Sequence, residues 1–187
     1  NNDRNVWECG GYWHLDTRPD ELESISSGWD HLKRAAKAID RRMKNKSGRC
    51  RHQTLCHGDF KSANLLFSSS SSDDEELECA AVDFQYTGGG YGLKDVVMLF
   101  VSSVQPRLIT GNNNAGEHDL LQYYYDILCH NLDHLGVDFT STGYTMEDVV
   151  IQYELCLLDY VRFMAGWGFW GSNCSYAERR ASSILKE

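Results

Sequence analysis

Three short apolar runs, each leading to an oxygen-bearing side chain, constrain the fold of this chain more than any other feature. Leu55-Cys56 enters a loop that carries His57, Gly58 and Asp59. Asn64 follows five residues after Asp59, at the head of a second run, Leu65-Leu66-Phe67. A third run, Cys79-Ala80-Ala81-Val82, delivers Asp83-Phe84-Gln85. Short strands joined by loops would gather Asp59, Asn64 and Asp83 at one rim. There Asp59 could accept the proton of an alcohol, while Asn64 and Asp83 offer hard oxygen ligands suited to Mg²⁺. Singly, each residue has an ordinary reading: Asp and Asn favour turns, and a lone His is commonly structural. The ordered set is far more specific.

The pattern His57-Gly58-Asp59, then Asn64, then Asp83-Phe84-Gln85 resembles the catalytic and metal-binding loops of the kinase-like phosphotransferases. Within that group it looks like the aminoglycoside phosphotransferase and choline-kinase-like (CHK, ecdysteroid kinase-like) families. The resemblance implies an α+β, predominantly helical fold: a protein-kinase-like C-terminal lobe whose small β-hairpin carries the catalytic and metal-binding loops. It implies ATP and Mg²⁺ as cofactors and a small-molecule hydroxyl as acceptor. Asp59 matches the residue that orients the acceptor and takes its proton. Asn64 and Asp83 match the residues that hold the metals bridging the nucleotide phosphates. Lys61 stands where related kinases carry a lysine near the transferred phosphate; a solvated lysine is the competing reading. His57 is expected to fix the loop through hydrogen bonds. Asp95 matches a later family Asp that braces the catalytic loop, although an acid at a helix N-terminus is favoured by the dipole alone.

Two departures set the chain apart from protein kinases. Gly58 replaces the Arg that would read a phosphorylated loop, and no Ala-Pro-Glu segment follows Asp83. A small-molecule acceptor is therefore favoured over a peptide. The 54 residues before Leu55 hold no Gly-rich strand-turn-strand and no Val-Ala-Ile-Lys-like lysine. The resemblance thus spans about residues 20–187. The expected organisation is an irregular lead-in, 1–28, and a kinase-like C-terminal lobe, 29–187, without the nucleotide-gripping amino-terminal lobe. Such a fragment would be weak or inactive alone. The alternative class is a non-catalytic kinase-like remnant or pseudokinase binding module, with a protein kinase third.

Charge and composition limit the other possibilities. With 18 basic and 27 acidic residues the chain carries −9, which argues against a general nucleic-acid surface. The most apolar stretch, Val149 to Met164, is interrupted by Gln152, Glu154, Asp159 and Arg162, so it reads as a buried helix and not a membrane span. The seven cysteines are scattered, with no Cys-x-x-Cys pair. Reduced thiols in a cytoplasmic protein fit that pattern better than zinc or disulfides. Asn45-Lys46-Ser47 and Asn173-Cys174-Ser175 match the glycosylation acceptor pattern but have no secretory context.

Helical periodicity predicts the remaining elements. Leu32, Ala36, Ile39 and Met43 form one stripe, with Ser27 and Asp30 as a candidate capping box and a basic outer face. A second helix begins near Leu93 and stops before Pro106. Leu120 to Leu135 form a third, closed by Gly136; Thr145-x-x-Asp148 opens the long apolar helix; Tyr176 to Lys186 forms the last. Gly88 to Gly92 lacks the phosphate-loop spacing and is expected to be a sharp turn. The acidic serine-rich connection 68–76 reads as a flexible hairpin tip. Tyr123, Tyr124, Tyr125, Trp167, Phe169 and Trp170 are candidates for a substrate pocket, with core packing the alternative for most.

Overall fold

In the computed structural model, residues 6–44, 52–68, 77–111 and 116–186 are described. The acidic tip at 69–76, the Asn112–Asn114 loop, the Asn45 acceptor motif and Cys50 lie outside these described residues.

The fold is mixed α and β and predominantly helical. Its axis is the helix predicted from Thr145, which spans Met146–Trp167 (α7; α1 to α6 precede it). Thr145 Oγ1 accepts from the Asp148 N–H at 3.3 Å, and Asp148 Oδ2 accepts from the Thr145 N–H at 3.0 Å. This reciprocal box satisfies two N–H groups that the first turn would otherwise leave unpaired. Beyond the cap the helix is buried almost all round, because α1 (Pro19–Ser24), α2 (Asp30–Lys44), α3 (Leu93–Ser102) and α8 (Cys174–Ile184) pack on it. Some of its buried polar residues pair within the helix, while the Tyr160 hydroxyl, Gln152 Nε2 and Arg162 Nη1 have no partner among the described residues. Arg162 donates from Nε and Nη2 to Asp159 Oδ1 at 3.0 and 2.8 Å.

The amphipathic α2 buries Leu32, Ala36 and Ile39 and leaves Arg34, Lys37, Arg41 and Arg42 exposed. A 3-10 turn, Ser27–Trp29, leads into it where the sequence suggested a Ser27 cap. Pro106 ends the α3 region and opens α4 (Pro106–Thr110), where its missing N–H costs nothing. The third predicted helix is α5 (Gly116–His134), followed by Gly136 at φ +76°. A single turn, α6 (Phe139–Thr142), is capped by Asp138. Three of these helices are tied by a polar cluster: Tyr153 and Tyr176 share a hydroxyl bond of 2.7 Å, Tyr176 donates to Glu117, and Arg180 pairs with Glu117 and Glu154.

Among the described residues, four three-residue strands form two antiparallel ribbons. β2 (Leu65–Phe67) pairs with β3 (Cys79–Ala81), the predicted hairpin. β1 (Thr54–Cys56) pairs with β4 (Gly88–Gly90), so the glycine cluster expected to be a turn is instead a strand. The reason is crowding, not flexibility. A Cβ on Gly88 would lie 2.5 Å from the Trp7 carbonyl oxygen and 2.7 Å from the Gly10 nitrogen. The lead-in segment therefore lies directly against this strand. Trp7 bridges to Gly88, Trp13 is 1% exposed, and its carbonyl accepts from Arg162 Nη2 at 2.5 Å.

Candidate active site

The two ribbons place the loops of the apolar runs side by side. The β1–β2 loop carries His57 to Asn64, and the loop after β3 carries Asp83 to Gln85. They are joined at Val82, whose N–H donates to the Asn64 carbonyl at 3.0 Å. The Val82 carbonyl in turn lies 2.9 Å from His57 Nε2. Because His57 Nδ1 accepts from the Asp59 N–H at 3.2 Å, the ring proton must sit on Nε2 and point at Val82. One imidazole thus spans both loops, packed between Phe60 and Phe84 at centroid distances of 5.7 and 4.6 Å.

Asp59 is 4% exposed, and its carboxylate is held from two directions. Asn64 Nδ2 donates to Asp59 Oδ2 at 3.0 Å and to the Asp59 carbonyl at 2.8 Å. Lys61 Nζ reaches both carboxylate oxygens, at 3.0 and 2.9 Å. The Lys61 side chain is 30% exposed, against 5% for that of Asp59. Asn64 Oδ1 has no hydrogen-bond partner among the described residues.

Asp83 follows Val82 directly and is exposed, with one oxygen accepting from Gln85 Nε2 at 3.2 Å. Its φ of +66° makes it the one non-glycine residue in the left-handed region among those described. That conformation carries a conformational cost for an L-residue and turns the carboxylate out of the ribbon.

Behind the loop, Asp95 at the start of α3 accepts from the His57 and Gly58 N–H groups at 2.7 and 2.9 Å. Burial raises its pKa above the ordinary carboxylate value, while these two bonds pull the other way. Gly58 sits at φ +84°, and a Cβ there would fall 2.1 Å from the Tyr86 carbonyl oxygen. No side chain fits at the middle of the His-Gly-Asp turn.

Sequence reasoning missed Tyr12 and Arg18. Tyr12 lies close enough for burial, and then the Asp59 charge, to push its phenol up to about 12, with Arg18 opposing. The Arg18 guanidinium lies over the rings of Tyr12, Phe163 and Trp167 at 5.6, 5.8 and 5.1 Å. Their spacing offers no signal, since 145 residues separate Arg18 from Phe163.

Four of the six aromatic residues proposed for one pocket are divided between two grooves, and the other two pack elsewhere. Trp167 and Trp170, with Tyr12, Lys61 and Ser103, line a groove of about 510 Å³ beside Asp59. Tyr123 and Tyr124 line a larger apolar groove of about 800 Å³ against Phe84 and Leu99. Tyr125 packs on Phe139 and Phe169 lies near Trp29.

No group of three or more His, Cys, Asp or Glu side chains able to hold a metal exists among the described residues. Asp59 and Asn64 on one loop and Asp83 on the adjoining one are hard oxygen donors by chemistry, a type suited to a cation that brings further ligands of its own and not to a closed all-protein cage. Among the described residues no helix is long and apolar enough to cross a membrane.

No curated protein and no solved structure matches the chain. The profile of the ecdysteroid kinase-like family matches residues 15–137, which contain both loops, Asp95 and the lead-in residue Arg18. The chain belongs to the ecdysteroid kinase-like family.

Proposed function

We propose that this chain supplies the catalytic lobe of an ATP-dependent small-molecule kinase that moves the γ-phosphate to a hydroxyl acceptor. The observation that carries the reading is buried Asp59, whose carboxylate accepts from Asn64 Nδ2 and whose backbone N–H donates to His57 Nδ1. Asp59 takes the acceptor proton; its fixed orientation lowers the entropy of reaching the transition state. Lys61 leaves the Asp59 oxygens for the transferred phosphate, which frees the base as the substrate arrives. Asn64 Oδ1 and the outward carboxylate of Asp83 would hold Mg²⁺ on the nucleotide phosphates, and the metal would supply neutralisation of phosphate charge. His57 and Asp95 position the loop and touch no substrate. The acceptor occupies the groove beside Lys61, with Tyr12, Trp167 and Trp170 as its walls. Exposed Leu55, Leu66, Phe67 and Phe84 around the rim support a covering amino-terminal lobe for the nucleotide.

Phosphoryl transfer from ATP to a panel of alcohols, run beside Asp59→Asn, tests the assignment. Loss of the base should lower turnover by about 10²–10⁴-fold, the usual worth of general-base catalysis. Equal rates for both proteins would favour the competing class, a kinase-like binding module without catalysis.

A further inference from the structure

A further cavity, of about 320 Å³, lies between the lead-in, the end of α2, β4, the start of α3 and α7. It contains two buried opposite charges that do not pair with each other. Lys94 is 2% exposed, and its ammonium meets the Gly10 carbonyl, Cys9 Sγ at 3.7 Å and the face of Trp13 at 5.2 Å. No carboxylate lies within 4.0 Å of it among the described residues. Asp159, 3% exposed, faces the same cavity; Arg162 binds its Oδ1 twice, and its Oδ2 has no partner among the described residues. A third polar atom, His14 Nδ1, is buried in the wall without a partner. The remaining charged lining groups are committed or exposed: Lys44 holds Asp16 and Asp40, and Glu8 is at the surface.

We propose that this cavity binds a small zwitterion of the size and charge pattern of a free α-amino acid. The ligand carboxylate meets Lys94, and the ligand ammonium meets Asp159 Oδ2 and the His14 ring nitrogen. A ligand of one charge would leave either Lys94 without a carboxylate or Asp159 Oδ2 without a donor, and a buried polar atom without its partner is costly. The volume lies at the small end of ligand pockets, roughly 300–1,000 Å³. Burial and the neighbouring Lys94 lower the His14 pKa, so a neutral imidazole is available to accept an ammonium N–H. Lys94 adjoins Asp95 on α3, so an occupant would touch the element that braces the catalytic loop.

Calorimetric titration of the full chain with free α-amino acids tests the site, with acetate and methylammonium as single-charge controls. At least one amino acid should give saturable heat, with both controls at least about tenfold weaker, the 1.4 kcal/mol step of a lost charge contact. Lys94→Met and His14→Ala should each weaken that binding. No saturable amino acid, or acetate or methylammonium binding as tightly, would overturn the proposal on the wild-type protein alone. Unaltered binding in His14→Ala together with a folded Lys94→Met would do the same.

Discussion

Replacing Asp95 by Asn perturbs the catalytic loop without touching the groups that would meet substrate. In the wild type one carboxylate accepts from two successive backbone N–H groups, His57 and Gly58, at 2.7 and 2.9 Å. An amide has a single acceptor oxygen, so one N–H would face an NH₂ group instead. A buried donor left unsatisfied costs about 1–3 kcal/mol, and the surviving bond falls from a charge-assisted value of about 1.5–3 to about 0.5–1.5 kcal/mol. Removing a desolvated charge returns part of that loss, since burial is the largest influence on Asp95. The net expectation is a loss of roughly 2–4 kcal/mol. At about 2–4 °C per kcal/mol for a chain of this size, Tm should fall by roughly 4–16 °C. Urea denaturation with an unchanged m-value would measure it. The pH dependence supplies the sign. A carboxyl raised above its ordinary 3.8 on folding gives stability that is fully present below that value and is lost as pH rises through the folded pKa. The wild-type advantage over Asp95→Asn should therefore be largest in acid and decline to a plateau towards neutrality. A difference within about 0.5 kcal/mol at all pH values, the range of an ordinary surface substitution, would refute the bracing argument. So would an advantage that grows with pH.

Gly58→Ala combines a left-handed backbone cost of about 1–2 kcal/mol with a 2.1 Å clash against the Tyr86 carbonyl. It should destabilise by at least about 3 kcal/mol in urea titration, and a neutral result would mean that the turn relaxes freely. Tyr176→Phe should cost about 1–3 kcal/mol, because the fully buried Tyr153 hydroxyl and Glu117 both lose a partner. The double change Tyr153→Phe with Tyr176→Phe should cost less than the sum of the singles in thermal unfolding; strict additivity would show that the two hydroxyls do not depend on each other.

The helices were legible because their signals are local. The stripe Leu32, Ala36, Ile39 is the buried face of α2, and the Thr145/Asp148 box opens α7 as written in the sequence. The β2–β3 hairpin followed from two apolar runs flanking a polar connection. The Ser27 cap and the Gly88–Gly90 turn were misread for opposite reasons. A 3-10 turn took the place of the cap, and tertiary crowding gave the glycines a strand. The lead-in offered no periodicity, yet Trp13 is part of the core, because its contact with Arg162 joins residues 149 apart.

From the chain alone came the helical class, the order of the elements and the β2–β3 hairpin, since apolar period, caps and spacing act over a few residues. Tertiary structure alone decided that Lys61 grips Asp59, that His57 clamps two loops through one tautomer, that Asp83 is held at positive φ, and that Lys94 and Asp159 share a cavity. Each of these depends on which distant segments are pressed together. That choice is made by the packing of the whole core around α7, and no local pattern encodes it.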